Sequence, residues 1–400
     1  MKIGVLCTYP VFAAGQGGQL RTNRICRRLG RRHEVTIVSQ NQSLFQVTRQ
    51  EQGFKEICIP VSRSVMENIA SWQMGMDVSV SDIVMSMPSG VTPGFRSAAD
   101  RVMSESDVLI ASHPYLFHLM QKYEGHKKII YDAHNVEYDL KCSILPEGTA
   151  SDRLLAQVLY AEREAVLKSD EIWACSSEDK NRLERLYSVP GRKIRIVPNG
   201  VDVREFPFYD GASKQSFKHS LGLGGKTVVA FIGSLHKPNI EAAEQVIAFA
   251  KQLPDTLFMM MGAVCDAVRR SPVPANVVLA GQVDDELKRT VYLAADIAIN
   301  PMITGSGSNL KMAEYMAAGL AVVSTPVGAR GYRVEDGVQA LIRPLAEFPE
   351  TIYELKKDVS LRWRLSTAGR AYAERYFSWD VTAADVEESV SGWNEGGSGS

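Results

Sequence analysis

The chain has no Cys-x-x-Cys pair, no apolar run long enough to span a membrane, no low-complexity tract or short-period repeat, and no excess of charge of either sign. Each absence excludes a class of protein. The six cysteines, Cys7, Cys26, Cys58, Cys142, Cys175 and Cys265, are scattered. Several lie in apolar stretches where a free thiol packs as a small hydrophobe, so a reducing, cytoplasmic compartment is expected. A membrane helix needs about 18 or more consecutive apolar residues. Met1-Lys2 leads straight into Ile3-Gly4-Val5-Leu6 without a signal-type apolar region and small-residue cleavage site. The expectation is a protein that is neither secreted nor integral to a membrane. With 45 basic and 46 acidic residues the net charge is −1, so no nucleic-acid partner is expected and any polyanion site must be local.

What is present is material for two cores. A chain of 400 residues, 45% hydrophobic, exceeds one ordinary domain and predicts two, with a cleft between them. Short β-branched runs alternate with amphipathic stretches throughout, which predicts α/β domains built on parallel sheets. In the first half, strands are expected near 2–8, 34–39, 56–60, 107–111, 128–132, 171–175 and 194–197, with helices near 18–31, 93–105, 115–122, 151–168 and 177–187. The pattern restarts at Lys226-Thr227-Val228-Val229-Ala230-Phe231-Ile232-Gly233, followed by strands near 256–261, 276–279, 297–300, 321–323 and 339–342. The mixed-charge stretch Asp202 to Gly225 is the best linker candidate. The terminal Gly396-Gly397-Ser398-Gly399-Ser400 reads as an appended linker.

In the first half, Ala13-Ala14-Gly15-Gln16-Gly17-Gly18 follows a strand and feeds a helix. Such a turn offers unpaired N–H groups to a phosphate; a flexible turn with no ligand is the alternative. A dinucleotide site would also want an acid at the end of the second strand, where the chain reads Ile37-Val38-Ser39-Gln40-Asn41-Gln42. The following helix carries Arg21, Arg24, Arg27, Arg28, Arg31 and Arg32, either a solvated face or a peripheral contact with anionic lipid. Tyr131-Asp132-Ala133-His134-Asn135-Val136-Glu137 closes a strand at the end where open α/β sheets bind ligands. A histidine flanked by Asp132, Asn135 and Glu137 reads as a site group; His113, His118 and His126 have no comparable setting in sequence.

The densest signal lies in the second half. Gly305-Ser306-Gly307-Ser308-Asn309-Leu310-Lys311-Met312-Ala313-Glu314 follows the strand Asp296 to Pro301 and opens a helix. Backbone N–H groups from Ser306 to Leu310 suit a diphosphate, Lys311 adds a positive charge, and Glu314 one turn on suits two vicinal hydroxyls. An ordinary capped helix is the alternative. Gly233-Ser234-Leu235-His236-Lys237-Pro238-Asn239 ends a strand and precedes another helix, a second phosphate-facing turn in which Lys237 could assist or lie in solvent.

These segments, together with Ser176-Ser177-Glu178, Val197-Pro198-Asn199-Gly200-Val201-Asp202, Phe231-Ile232-Gly233-Ser234, Lys311 to Gly319 and Phe377-Ser378-Trp379, resemble the retaining family-4 glycosyltransferases (glycosyl transferases group 1) over nearly the whole chain. The resemblance implies the GT-B architecture, two doubly wound Rossmann-like domains facing a central cleft. It implies an acceptor-side domain over 1–203, a nucleotide-sugar domain over 204–379, and a last helix over 380–395 that returns to the first. It further implies transfer of a sugar from a nucleoside-diphosphate sugar to a glycan, lipid-linked or small-molecule acceptor, with anomeric retention and no metal or other cofactor; no Asp-x-Asp pair is present. Surface-glycan synthesis on the cytoplasmic side, with peripheral membrane contact through Arg21 to Arg32, follows by analogy. By resemblance Glu314 holds the ribose, and Lys311 with Gly307, Ser308 and Asn309 faces the diphosphate. Gly17 and Gly18 approach the donor phosphate, and His134 sits beside the sugar. Asn199 and Val283 are further site candidates. One position departs from the family pattern: Ser306 stands where members with an acidic pair carry a Glu eight residues before the ribose Glu. A GT-B nucleotide-sugar epimerase, an inactive nucleotide- or glycan-binding protein and an NAD-dependent oxidoreductase are the rival readings.

Overall fold

The computed structural model describes residues 1–12, 17–41, 45–270, 272–305 and 307–392. The turn at Ala13 to Gln16, Ser306 and the terminal Gly396 to Ser400 lie outside the described residues. The chain divides into two compact units, Met1–Asn199 with Thr382–Ser400, and Gly200–Val381.

The first unit holds eight strands among the described residues: β1 (Lys2–Cys7), β2 (Glu34–Asn41), β3 (Val47–Glu51), β4 (Phe54–Pro60), β5 (Val108–Ser112), β6 (Lys128–Ala133), β7 (Glu171–Ala174) and β8 (Ile194–Ile196). Its helices are α1 (Gly17–Leu29), α2 (Arg63–Gln73), α3 (Ser81–Met85), α4 (Pro93–Glu105), α5 (Glu137–Ile144), α6 (Thr149–Lys168) and α7 (Ser177–Tyr187). The sheet order is β3-β4-β2-β1-β5-β6-β7-β8. Neighbours pair in parallel except β3 and β4, an antiparallel hairpin. The order reverses between β1 and β5, so the crevice that such sheets offer to ligands opens at the carboxyl ends of β1, β5 and β6. β5 and β6 are buried along their whole length, as continuous apolar runs in a sheet covered on both faces must be.

The second unit repeats the plan with β9 (Thr227–Ile232), β10 (Thr256–Met261), β11 (Val277–Gly281), β12 (Ile297–Asn300), β13 (Ala321–Ser324) and β14 (Leu341–Ile342). Their order is β11-β10-β9-β12-β13-β14, with every pair parallel. Its helices are α8 (Gly211–Ser220), α9 (Lys237–Gln252), α10 (Val264–Val268), α11 (Asp285–Ala294), α12 (Leu310–Ala317), α13 (Phe348–Lys357) and α14 (Val359–Tyr376). The order reverses between β9 and β12. The last helix, α15 (Trp379–Ser391), carries the chain back into the first unit at Thr382. There Ser389 Oγ accepts from the buried Trp173 indole at 3.0 Å, and Glu387 meets His33 at 2.9 Å.

Three expectations change. The stretch 202–225 is no free linker: it contains α8, whose buried Lys218 reaches Asp296 Oδ2 at 2.5 Å. The helix expected at 115–122 is a pair of tight 3-10 turns, Pro114–Leu119 and Gln121–Tyr123. The arginines from Arg21 to Arg32 do not form one solvated basic face. Arg21 and Arg28 are buried, Arg27 meets Glu51 at 2.8 Å, and Arg31 and Arg32 are exposed. Two of the six side chains, Arg21 and Arg28, are thus turned into the protein.

Candidate functional site

In the first unit the carboxyl ends of β5 and β6 and the start of α1 converge on His134. Arg21, 1% exposed, donates from Nε and Nη2 to Asp132 Oδ1 at 2.9 and 2.7 Å, and from Nη1 to the Val197 carbonyl and Asn199 Oδ1 at 2.8 and 3.2 Å. A buried ion pair survives only when its remaining hydrogen-bonding capacity is met, and here the Arg21 fork is shared among three acceptors. Burial by itself raises the Asp132 pKa, but Arg21 and then His134 outweigh it and hold the carboxyl well below the usual carboxylate range. Asp132 Oδ2 lies 3.0 Å from His134 Nε2.

An ionised Asp132 accepts only, so His134 Nε2 carries the proton and Nδ1 bears the lone pair. Burial, and next the neighbouring His113, lower the His134 pKa to about 4, which keeps the ring neutral at pH 7. Nδ1 is buried and has no hydrogen-bond partner among the described residues. It faces Gly18: a Cβ added there would sit 3.0 Å from His134 Nδ1 and 2.5 Å from Tyr9 Oη. Gly17, exposed, is the first residue of α1. The loop after β1 is held by buried Glu56 of β4, which accepts from the Val11 and Phe12 amides at 2.7 and 3.0 Å. Asn135 Nδ2 donates to Glu137 Oε1 at 3.1 Å, while buried Glu162 accepts from the Glu137 and Tyr138 amides at 2.7 and 3.0 Å and so fixes the start of α5.

His113 belongs to this cluster, contrary to the reading that gave it no comparable setting. Its ring centroid is 4.2 Å from that of His134, and its Nε2 is 2.5 Å from Tyr9 Oη. Only folding puts β5 beside β6, so no local pattern could announce the pair.

In the second unit the candidates gather at the carboxyl ends of β9 and β12. Lys311 Nζ donates to Asn239 Oδ1 at 2.7 Å and lies 4.7 Å from the Phe231 ring centroid. Asn239 Nδ2 in turn donates to Ser234 Oγ at 3.0 Å. Although residue 311 keeps some exposure, its ammonium is packed against Phe231 and Met302, and this burial lowers its pKa to about 7, Glu314 opposing. Glu314, one turn on, accepts from Lys288 Nζ at 3.1 Å and from Tyr292 Oη at 3.2 Å, one donor per oxygen. Each carboxylate oxygen can accept two bonds, so capacity for two further hydroxyls remains.

Asn309 precedes α12 without capping it through its side chain. Its Nδ2 donates instead to the Gly328 carbonyl at 3.2 Å, which Asn300 Nδ2 reaches at 2.8 Å. The first-turn amides beside Leu310 and Lys311 therefore receive no side-chain cap from Asn309, the state in which a helix start accepts a ligand anion. Gly307 has φ 65°, a conformation that favours glycine. Ser308 lies between it and Asn309. Gly233 is buried, Ser234 and Lys237 are exposed, and Lys237 starts α9. Val283, half-buried, packs on the core cluster that contains Tyr292 and Tyr315. The roles of Lys288 and of the Asn239 side chain do not show in the sequence. Lys288 sits in the charged run Asp284 to Arg289, which reads in sequence as a solvated face.

Two family models match the chain. The model for Glycosyltransferase Family 4 matches residues 15–205, and that for Glycosyl transferases group 1 matches residues 226–358. The chain belongs to this family of glycosyltransferases. It is 26% identical over 280 residues to the D-inositol 3-phosphate glycosyltransferase of Rhodococcus erythropolis, covering 65% of this chain and 62% of that protein. It is 30% identical over 206 residues to the phosphatidyl-myo-inositol mannosyltransferase of Mycobacterium tuberculosis, covering 48% and 52%. The match thus spans less than two thirds of either relative's length. Among solved structures, the fold is similar to sucrose-phosphate synthase from Thermosynechococcus elongatus (TM-score 0.76, 15% identity, 98% of this chain and 99% of that one). It is also similar to Anabaena HepE in complex with UDP and glucose (TM-score 0.72, 13% identity, 98% and 100%). The fold is GT-B, two Rossmann-like units on parallel sheets.

Proposed function

We propose that the chain transfers a sugar from a nucleoside-diphosphate sugar to an acceptor hydroxyl with retention of anomeric configuration, on the cytoplasmic side, in glycan or glycoconjugate synthesis. The observation that carries the reading is the order of groups on α12: uncapped first-turn amides, then Lys311 enclosed beside Asn239, then Glu314 with spare acceptor capacity. That order fits a diphosphate followed by a ribose. A relative named as an inositol 3-phosphate glycosyltransferase and a fold neighbour holding UDP and glucose support the same class.

In this reading Lys311 and the α12 amides stabilise the diphosphate as negative charge builds on it, an electrostatic term that requires no metal. Glu314, oriented by Lys288 and Tyr292, accepts from the two ribose hydroxyls. His134, neutral and with its Nδ1 lone pair unpaired beside Gly18, accepts a hydrogen bond from a hydroxyl of the transferred sugar. The bond from the anomeric carbon to the phosphate oxygen breaks as a bond to the acceptor oxygen forms on the same face. The acceptor's proton passes to the departing phosphate.

The test is a transfer assay with UDP-, GDP- and dTDP-sugars, with NMR of the product anomer, with and without a chelator. Retained configuration and chelator-insensitive turnover are expected. Interconversion of donor sugars in the absence of acceptor would favour the epimerase reading, and nucleotide binding without turnover the binding-protein reading.

A further inference from the structure

The residue that ends β5 has a backbone ill-suited to its side chain. His113 lies at φ 75°, ψ 156°, a region that glycine enters freely and residues with a Cβ rarely do. Among the described residues Ser188 is the other non-glycine with positive φ, but at φ 55°, ψ 41° it sits in the left-handed region that commonly stops a helix, and it follows α7. Glycine would serve the turn at 113 better, so the imidazole itself is what the position retains.

That imidazole touches the groups nearest the start of α1. Its Nε2 is 2.5 Å from Tyr9 Oη, with the rings edge to face at 5.2 Å. Its Nδ1 is buried without a hydrogen-bond partner among the described residues and lies 3.6 Å from Glu137 Oε1. Glu137 is itself fixed by Tyr115 Oη at 2.8 Å and by Asn135. The His113 ring packs on that of His134, tilted by 50°. Tyr9 Oη and His134 Nδ1 are the two polar atoms that crowd Gly18.

We infer that His113 is a positioning residue, which braces the Tyr9 hydroxyl and the His134 ring together at the amino end of α1, and that the unfavourable backbone at the end of β5 is kept for this purpose. The inference rests on the transferase reading for what the two groups are positioned to do. It adds that His113 acts through them without touching the sugar.

The experiment compares wild type with His113→Gly and His113→Asn, alone and in a His134→Ala background. His113→Gly relieves the backbone, so its Tm is expected to be unchanged or higher, while kcat falls about tenfold or more with nucleotide affinity unmoved. Asparagine restores a polar side chain, so His113→Asn is expected to recover part of kcat without the Tm gain of glycine. In the His134→Ala background the His113→Gly loss shrinks, since residues in contact are not additive. Wild-type kcat in His113→Gly, a loss that tracks a fall in Tm, or full additivity with His134→Ala would overturn the inference. If wild type turns over no nucleotide sugar, the transferase reading fails instead. The ring-nitrogen NMR signals of His134 then decide the positioning claim: they are expected to shift in His113→Gly, and identical signals would overturn it.

Discussion

Lys311 makes a quantitative prediction about protons. Its ammonium, enclosed by Phe231, Met302 and Asn239, has a pKa lowered by burial to about 7. At pH 8 such a group is about nine-tenths neutral. A bound diphosphate beside it favours the charged form, so binding should draw about 0.9 proton from solution at pH 8. The terminal phosphate of UDP, with a second pKa of about 6, is already ionised there and contributes little. Calorimetry of UDP binding in two buffers of different ionisation enthalpy reads the uptake from the difference in heats. The Lys311 contribution to affinity should be nearly flat below pH 6 and should fall about tenfold per pH unit above 8. Lys311→Met should bind more weakly and take up no proton. Equal heats in the two buffers, or uptake that persists in Lys311→Met, would refute the placement of the phosphate at Lys311. The ligand-free protein has the matching signature. The folded pKa of Lys311 lies below the ordinary lysine value of 10.5, so the unfolded chain binds more protons between pH 7 and 10.5. The Lys311 contribution to stability therefore rises with pH across that window, and the full penalty is present below pH 7.

Other substitutions test the first unit. Arg21→Met strands a buried Asp132 carboxylate and should cost about 3–5 kcal/mol in urea unfolding; Arg21→Met with Asp132→Leu should recover much of that loss. His134→Ala removes one buried hydrogen-bond acceptor, worth about 1–3 kcal/mol, so kcat should fall about 5- to 150-fold with nucleotide affinity unchanged. Gly18→Ala places a methyl 2.5 Å from Tyr9 Oη and 3.0 Å from His134 Nδ1, and should lower turnover more than it lowers Tm.

Much of the fold is legible because buried parallel strands write themselves as unbroken β-branched runs: Val108-Leu109-Ile110 and Thr227 to Ile232 need no context. The hairpin strand β3 went unseen because Val47-Thr48-Arg49-Gln50-Glu51 is almost entirely exposed and so carries no apolar signal. α8 looks like linker in sequence because Gly211 to Ser220 holds few apolar residues, its anchor being the buried Lys218 on Asp296. The same blind spot governs the arginines of α1. Sequence shows a basic helix, and only the partner 111 residues away makes Arg21 a buried strut. In the site, His134, Lys311 and Glu314 stand out because their neighbours in sequence are their neighbours in chemistry. His113, Asn239 and Lys288 act on them across strand and helix boundaries, and a backbone angle such as that of His113 leaves no mark in the sequence when the residue is not glycine.

The central claim, that α12 binds the nucleoside diphosphate, is tested most directly by calorimetric titration of UDP, GDP and dTDP, without added metal, into wild type and Glu314→Ala. The account predicts that one nucleotide binds the wild type and that Glu314→Ala weakens it by about tenfold or more, as loss of a carboxylate paired with two hydroxyls requires. Binding of none of the three, or an affinity unchanged by Glu314→Ala, would contradict it.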